Sequence, residues 1–207
     1  GTARKDLTAT GYGVGLALFY GGEGSGGMVA TTNLVNTSGV ISADVSGVGT
    51  ARKGIASTRY GTGTAIVGFG SSEASGRESL TNLISNIGVV SANVTGVGTA
   101  REYLAATSYG GDKGVFGYGD TGSDSNLTNK VSNSGVVASD TSGVGTARWG
   151  LSATNYGGDK GIFAYGGSSG RVSMSNLVSN TGVVATDVSG VGTARYQPAA
   201  AGYSYSE

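Results

Sequence analysis

The side chains that could do chemistry in this sequence are carboxylates, lysines and tyrosines, because its 207 residues include no His and no Cys. Ser-His-Asp triads, Cys nucleophiles and His-ligated zinc are therefore excluded. Asp112 and Asp159 occupy equivalent "GGDK" segments, and two carboxylates facing across a cleft could hydrolyse a glycoside. Asp between Gly and Lys is also typical of a tight turn. The sequence favours the turn, and no enzymatic activity is predicted.

Two further motifs suggest a metal or a cofactor but lack an essential part. "DTGSDSN", from Asp120 to Asn126, places oxygen ligands at alternate positions but lacks the closing Glu of a calcium-binding loop. "GYGDTG", from Gly117 to Gly122, matches G-x-G-x-x-G. A dinucleotide site needs a helix after those glycines, and here a polar loop and a strand are predicted. We therefore predict no metal site and no cofactor.

The whole chain is an internal repeat. The tetrapeptide "GTAR" ends at Arg4, Arg52, Arg101, Arg148 and Arg195. A Tyr follows each Arg after eight positions, at Tyr12, Tyr60, Tyr109, Tyr156 and Tyr203. The spacing divides a single repeat domain, residues 1–207, into units 1 to 4 (1–48, 49–97, 98–144 and 145–191) and a partial unit (192–207). Repetition at this period is typical of solenoids, propellers and arrays.

Each unit is predicted to form four short strands and no helix. In unit 4 these are "LSATNY", "GIFAYG", "VSMSNLVS" and "VVATDV", with tight turns at "GGDK" and "NTG". Four strands in roughly 40–50 residues indicate a β-propeller blade. Small residues suit strands that are covered on both faces by neighbouring blades. We predict an all-β propeller of four-stranded antiparallel blades, with four complete repeats and one extra strand. A β-solenoid and a repeat array remain as alternatives.

The segment "GTARWGLSATNYGGDKGIFAYGG" resembles the Kelch repeat, in which an Arg precedes a small-residue strand, a turn and an aromatic strand that ends in Gly-Gly. The Gly-Gly pair follows the strand in units 1 and 4 only, and Trp149 follows "GTAR" instead of lying near the end of the repeat. The segments "YGGDKGIFAYG" and "SNTGVVATDVSGVGTAR" are also similar to repeat tracts in structural proteins of environmental bacteriophages. These resemblances imply a propeller and a virion or tail-associated role.

The repeated Arg and Tyr residues are interpreted as structural. An Arg at one place in every unit is expected to brace successive units, with its partner the Asp or Asn five to eight residues earlier, such as Asp187 before Arg195. A row of Arg residues clamping an anionic ligand is the alternative. The Tyr residues are expected to pack in the interior with their hydroxyl groups at a wet edge.

The loop between the second and third predicted strands differs most from unit to unit, and variable loops on a constant frame commonly carry binding. Its charged residues are the predicted binding residues: Glu23, Glu73, Arg77, Asp120, Asp124 and Arg171.

Composition limits the partners. Thirteen basic residues balance thirteen acidic ones, so no nucleic-acid partner is predicted. The longest apolar run, Val14 to Tyr20, is too short to insert into a membrane.

We therefore expect a non-catalytic structural or adhesive module, extracellular or in a virion. It would bind a protein of the same assembly or a surface glycan. The surplus strand is expected to pair outside its own ring, for example with another copy of the chain. The alternative is a carbohydrate-active enzyme or a lectin that uses the loop carboxylates.

Overall fold

The computed structural model describes residues 1–202, which contain strands, turns and loops but no helix. The strands form four three-stranded antiparallel sheets and two small two-stranded sheets. The prediction of an all-β chain is confirmed. Within the described residues no helix is long and apolar enough to cross a bilayer.

The strands recur at matching places in each unit. Unit 1 contains β1 (Thr8–Tyr12), β2 (Leu16–Tyr20), β3 (Glu23–Gly24), β4 (Gly27–Met28) and β5 (Thr32–Val35). Unit 2 contains β6 (Ala56–Tyr60), β7 (Thr64–Gly68), β8 (Ser71–Ser72), β9 (Gly76–Arg77) and β10 (Thr81–Ile84). Unit 3 contains β11 (Ala105–Tyr109), β12 (Lys113–Asp120) and β13 (Asp124–Val131). Unit 4 contains β14 (Ser152–Tyr156), β15 (Lys160–Ala164) and β16 (Ser175–Val178).

In every unit the second strand is the centre of the three-stranded sheet and pairs with the first strand and the last strand of that unit. The first two strands are joined by the predicted tight turn, in which Tyr156 of β14 pairs with Lys160 of β15. Gly157 and Gly158 in that turn have φ angles of 58° and 82°. This left-handed region is open to Gly at no steric cost, which explains the Gly-rich turn sequence.

The predicted fourth strand is reduced to isolated bridges in every unit. In unit 1 these bridges join Thr32 to Val45 and Val35 to Ile41. Between them the amide of Leu34 donates to the Ser42 hydroxyl at 2.9 Å, where a regular ladder would use a backbone carbonyl. The prediction of four short strands per unit is therefore wrong, because the last segment pairs with the preceding strand only at these bridges. In every unit an Asn side chain equivalent to that of Asn33 donates to the carbonyl nine residues later.

The hydrophobic core lies between units and not inside them. One buried cluster joins unit 2 to unit 3 and contains Tyr60, Ile66, Phe69, Leu104 and Phe116. The rings of Phe69 and Phe116 meet edge to face, with centroids 5.1 Å apart. Two similar clusters join unit 1 to unit 2 and unit 3 to unit 4. Each large side chain buried in this way contributes about 1.5–3 kcal/mol, so the units stabilise one another.

Small residues let the sheets of successive units approach closely. Gly114 of β12 faces Thr58 of β6, and a Cβ at Gly114 would lie 2.7 Å from the Thr58 methyl group. Gly161 has the same relationship to Thr107, at 2.5 Å. Because real Cβ atoms do not approach other atoms so closely, Gly at these positions is required by packing between sheets.

The partial unit lies on unit 4 of its own chain. The amide of Arg195 donates to the Val172 carbonyl at 3.3 Å, and the amide of Gln197 donates to the Gly150 carbonyl at 2.6 Å. No strand forms in residues 192–202, so the predicted extra strand is absent from the described residues. In units 1 to 4 the corresponding strand pairs with the second strand of its own unit.

Candidate functional site

From unit 2 onward, the Arg of "GTAR" joins a unit to the one before it, as Arg101 illustrates, whereas Arg4 bonds to Asn33 and Asp44 within unit 1. The Arg101 side chain is fully buried. The guanidinium donates to the Tyr118 carbonyl at 2.8 Å and to Asn129 Oδ1 at 2.5 Å, both within unit 3. The same group lies 4.3 Å from the ring centroid of Phe69 in unit 2, and the Arg101 carbonyl accepts from the Gly70 amide at 2.9 Å. One residue thus holds two sheets together through both its backbone and its side chain.

The arrangement recurs along the chain. Arg52 and Arg148 are also fully buried. Arg148 lies 4.3 Å from the ring centroid of Tyr118, and Arg195 lies 4.1 Å from that of Tyr165. Arg195 is exposed. Buried guanidinium groups held in this way are not available to clamp an anionic ligand.

The acidic partner of each Arg differs from the prediction. Asp187 does not pair with Arg195, which follows it by eight residues. It accepts from the Thr146 hydroxyl at 2.7 Å and from Asn176 Nδ2 at 2.9 Å, in the same unit as Arg148. The expected pairing is wrong because the end of each unit folds back beside the start of the same unit. The Asp near that end therefore bonds within its own unit, as Asp187 does to Thr146.

The pKa values of this network follow from its burial and its hydrogen bonds. Burial lowers the pKa of Arg101 to about 10, opposed by the Asp140 carboxylate, so the guanidinium stays charged at neutral pH. Burial works against ionisation of Asp140, but hydrogen bonds from Thr99 and Asn129 outweigh it and hold the pKa of Asp140 below its ordinary value. The ionised network is therefore the stable form near pH 7.

The repeated Tyr residues pack between units. Tyr12, Tyr60 and Tyr109 are 3–7% exposed. Each ring lies against the hairpin-turn Gly of the following unit, as Tyr60 does against Gly135. Tyr156 is 38% exposed. Tyr203 lies outside the described residues.

The predicted binding residues of units 1 and 2 contact the neighbouring unit. Glu23 pairs with Lys53 at 3.0 Å and with Lys5 at 3.4 Å. Glu73 accepts from the Met28 amide at 2.9 Å. Two of the predicted binding side chains are thus engaged across the boundary between these units.

The remaining predicted binding residues follow a similar pattern. Arg77 of unit 2 pairs with Glu102 at 3.5 Å and with Asp120 at 3.2 Å, both in unit 3. The guanidinium of Arg171 lies 5.0 Å from the ring centroid of Tyr196 in the partial unit. Asp124 is exposed at the start of β13. The variable loops therefore join specific neighbours, which their sequence variability did not reveal.

The turn carboxylates face their own turns. Asp112 accepts from Lys113 at 2.6 Å and from Asn133 Nδ2 at 3.0 Å, and the Lys113 hydrogen bond lowers the pKa of Asp112. Asp159 lies 3.8 Å from Lys160.

The two cofactor-like motifs are part of one hairpin. Asp120 accepts from the Gly122 amide at 2.6 Å, which is a local turn contact. "GYGDTG" lies in β12 and the turn that follows it, and the next element is β13. Within residues 1–202 no group of three or more acidic side chains could hold a metal ion.

Sequence reasoning missed a cleft that all five units share. The second residue after each Arg has a left-handed backbone, at Asp6 (φ 53°), Gly54 (61°), Tyr103 (52°), Gly150 (59°) and Gln197 (52°). Backbone hydrogen bonds of 2.6–3.0 Å join each of these residues to the next. They line an open cleft of about 260 Å³, together with Leu7, Ile55, Leu104, Leu151 and Pro198.

A row of aromatic side chains starts at Tyr103, which is one of the residues that line this cleft. The ring centroids of Tyr103 and Trp149 are 5.7 Å apart, and those of Trp149 and Tyr196 are 5.6 Å apart. Tyr103 and Trp149 are half-buried, and Tyr196 is 40% exposed. We call these three residues the aromatic row. The sequence did contain a signal for this row. Trp149 and Tyr196 stand directly after the Arg, where units 1 and 2 carry Lys5 and Lys53.

The phenol of Tyr103 lies among charged groups. Burial raises the pKa of Tyr103, and the carboxylates of Asp6 and Glu102 add to that effect. Burial also raises the pKa of Glu102, with Arg77 opposing it. The Tyr103 hydroxyl therefore stays protonated at neutral pH and can donate a hydrogen bond.

Comparison with protein-family models gives no match for this chain, and comparison with curated proteins gives none either. A proposal for the function of this chain therefore rests on the geometry of the chain itself.

Proposed function

We propose that this chain is a non-catalytic structural and adhesive module of a larger extracellular assembly, such as a phage virion or its tail. In this proposal the four sheets are blades of a Kelch-like β-propeller. The module binds a surface glycan or a protein of the assembly at the cleft that the units share.

The propeller arrangement is supported by where the contacts lie. The first strands of successive units, β1, β6, β11 and β14, are in contact with one another in chain order. The residues that precede these strands converge on one cleft. Sheets that pack face to face in chain order bring their first strands together in this manner, both as blades of a propeller and as coils of a β-solenoid.

The adhesive role is supported by a contrast between side chains that contact a neighbouring unit and side chains that remain at the surface. The repeated Arg residues and most of the loop charges, such as Arg77 with Glu102, are engaged between units. The aromatic row breaks the repeat pattern at the surface, because Trp149 and Tyr196 stand directly after the Arg where units 1 and 2 carry Lys5 and Lys53. This departure from symmetry is the single observation that carries the proposal.

A combined array and activity screen tests it. The purified chain is applied to an array of neutral, acidic and sulfated glycans and bacterial surface proteins, and it is incubated with chromogenic glycosides. We expect retention on a subset of features and no hydrolysis. Turnover of any glycoside, or retention on no feature at all, would overturn the proposal.

A further inference from the structure

We propose that the last segments of the four units together form an apolar surface on which a second copy of this chain docks. These segments are residues 36–48, 85–97, 132–144 and 179–191. The inference goes beyond the adhesive function proposed above, because the surface shares no residue with the lining of the cleft. Three observations carry it: where the exposed apolar side chains lie, the lack of charge around them, and their regular repetition.

Exposed apolar side chains are concentrated in the last segments. Sixteen large apolar side chains are exposed in residues 1–202, and only Val14, Tyr156, Leu177 and Tyr196 lie elsewhere. The other twelve are Val and Ile residues of the last segments. A single exposed apolar residue is ordinary on a protein surface, but an apolar patch marks a site of interaction.

The exposed side chains of successive units meet at shared grooves. Val48 of unit 1 and Val89 of unit 2 line one groove of about 210 Å³. The equivalent residues of units 3 and 4, Val144 and Val183, line a second groove of about 120 Å³. The last segment of one unit and the hairpin turn of the next unit form the walls in both cases. The apolar residues therefore form one surface that crosses the boundaries between units.

This surface carries almost no charge. The last segments contain no Lys, Arg or Glu, and their charged residues are Asp44, Asp140 and Asp187. Each of these carboxylates accepts a hydrogen bond from a Thr hydroxyl of its own unit, at 2.6–2.7 Å. The centres of stable protein interfaces are similarly depleted of charged residues. The surface therefore favours a partner that is also apolar and uncharged.

A second copy of the chain matches the spacing of this surface. Val40, Val89, Val136 and Val183 hold equivalent places in the four units and are 60–65% exposed. A second copy presents the same series at the same interval, so its valines can meet the grooves along the whole surface. Each partner of a stable interface contributes roughly 20–30 residues, and the last segments contain about twice that number.

The pairing is expected to be two-fold symmetric. Two copies that run in opposite directions present the same surface to each other, which closes the assembly as a dimer. Reversal of one copy places its unit 2 opposite unit 3 of the other copy. Val89 and Val136 therefore lie at the centre of the interface, where substitutions weaken association most.

Sedimentation equilibrium of the full chain over a wide range of concentration tests the proposal. We expect a reversible dimer with twice the 20.3 kDa mass of the chain. In the double variant Val89→Lys, Val136→Lys we expect association to be weaker by about tenfold or more, because like charges would face each other across the interface. Its thermal midpoint should stay within a few degrees of the parent, since both positions are exposed.

Val14→Lys is the matched control, because Val14 is 92% exposed but lies outside the last segments. It should dimerise as the parent does. A second double variant, Val89→Glu, Val136→Glu, should also be monomeric alone and should form a dimer when mixed with the Lys double variant, because opposite charges then face each other.

The inference is overturned if the full chain is monomeric at every concentration or if the Lys double variant dimerises as the parent does. It is also overturned if Val14→Lys weakens the dimer equally, or if the mixture of the two double variants stays monomeric. Retention on the glycan and protein array is measured separately and depends on the cleft, so failure of the dimer would leave the adhesive function standing.

Discussion

The guanidinium of Arg101 lies 4.3 Å from the ring centroid of Phe69, across the boundary between units 2 and 3. Arg101 begins unit 3, and its side chain bonds to Asn129 of that unit. Its carbonyl accepts from Gly70 of unit 2. A single residue therefore couples the closing of one sheet to its docking on the previous one.

Arg101→Ala should destabilise the chain severely. The change leaves the buried Asn129 Oδ1 and the Tyr118 carbonyl without their donor and removes the cation–π contact. Breaking a buried charged network costs about 3–5 kcal/mol. Arg195→Ala is the control, because the exposed Arg195 should cost less than about 1 kcal/mol. Urea unfolding measures both, and equal losses would show that the buried network does not carry the stability.

The hairpin-turn glycines allow steric and conformational costs to be separated. Gly135 has φ at 81°, and a Cβ there would lie 2.8 Å from the Tyr60 ring. Gly39 has a similar φ of 75° with nothing within 4 Å of a Cβ. Gly39→Ala should cost about 1 kcal/mol from the backbone alone, and Gly135→Ala about 1–3 kcal/mol more from overpacking. Thermal unfolding compares them, and similar midpoints would contradict the packing of Tyr60 on this turn.

Asp140→Asn should reduce the sensitivity of the fold to acid. The pKa of Asp140 is lowered in the folded chain, so its ionised form stabilises the fold above the ordinary pKa of Asp, and that contribution is lost as the pH falls through the lowered pKa. Unit 2 has Asn93 at this position, where it bonds to Thr50. We expect the variant to be about 1 kcal/mol less stable at pH 7, and we expect the difference to shrink toward pH 3.

Urea unfolding at pH 7 and pH 3 measures this convergence. A difference that stays constant over that range would mean that the charge of Asp140 contributes nothing. Asp124→Asn, at an exposed position, controls for the general loss of one negative charge.

Arg77→Glu should weaken the docking of unit 2 on unit 3. Arg77 lies between Glu102 and Asp120, so the reversal places three carboxylates together. Because the side chains are partly exposed, Arg77→Ala should cost only about 0.2–1 kcal/mol, and the reversal should cost more. Thermal midpoints at low and high salt measure this, since screening should reduce the penalty of the reversal. A penalty that does not depend on salt would contradict the electrostatic explanation.

The sequence predicted strands and turns correctly where the residues of the segment itself determine its conformation. The "GGDK" turn and the first two strands of unit 4 lie where the sequence placed them, because Gly and Asp fix the turn and alternation fixes the strands. The fourth strand was overpredicted, since its residues look extended but pair with the preceding strand only at isolated bridges in every unit. The side chain of Asn33 bonds to the Ser42 carbonyl at 3.2 Å, and its equivalents do the same. Propensity cannot anticipate a hydrogen bond between residues nine positions apart.

The candidate site shows the same difference between what local sequence predicts and what contacts between distant residues determine. The loop charges were singled out because they vary, but Arg77 and Glu23 bond to neighbouring units. The cleft was missed because it is assembled from two residues in each unit, and those of different units, such as Tyr103 and Gln197, lie far apart in the chain.

The sequence by itself determined the repeat, the all-β class and the recurrence of Arg, Tyr and small residues, because these follow from local pattern and spacing. The tertiary structure decided which partners those residues have. Asp187 bonds to Thr146, 41 residues away, and not to the Arg that follows it. The physical reason is that the end of each unit folds back beside its beginning, and the sheet of that unit packs on the sheet of the next unit. Contacts are therefore set by how the chain folds back, which spacing alone does not encode.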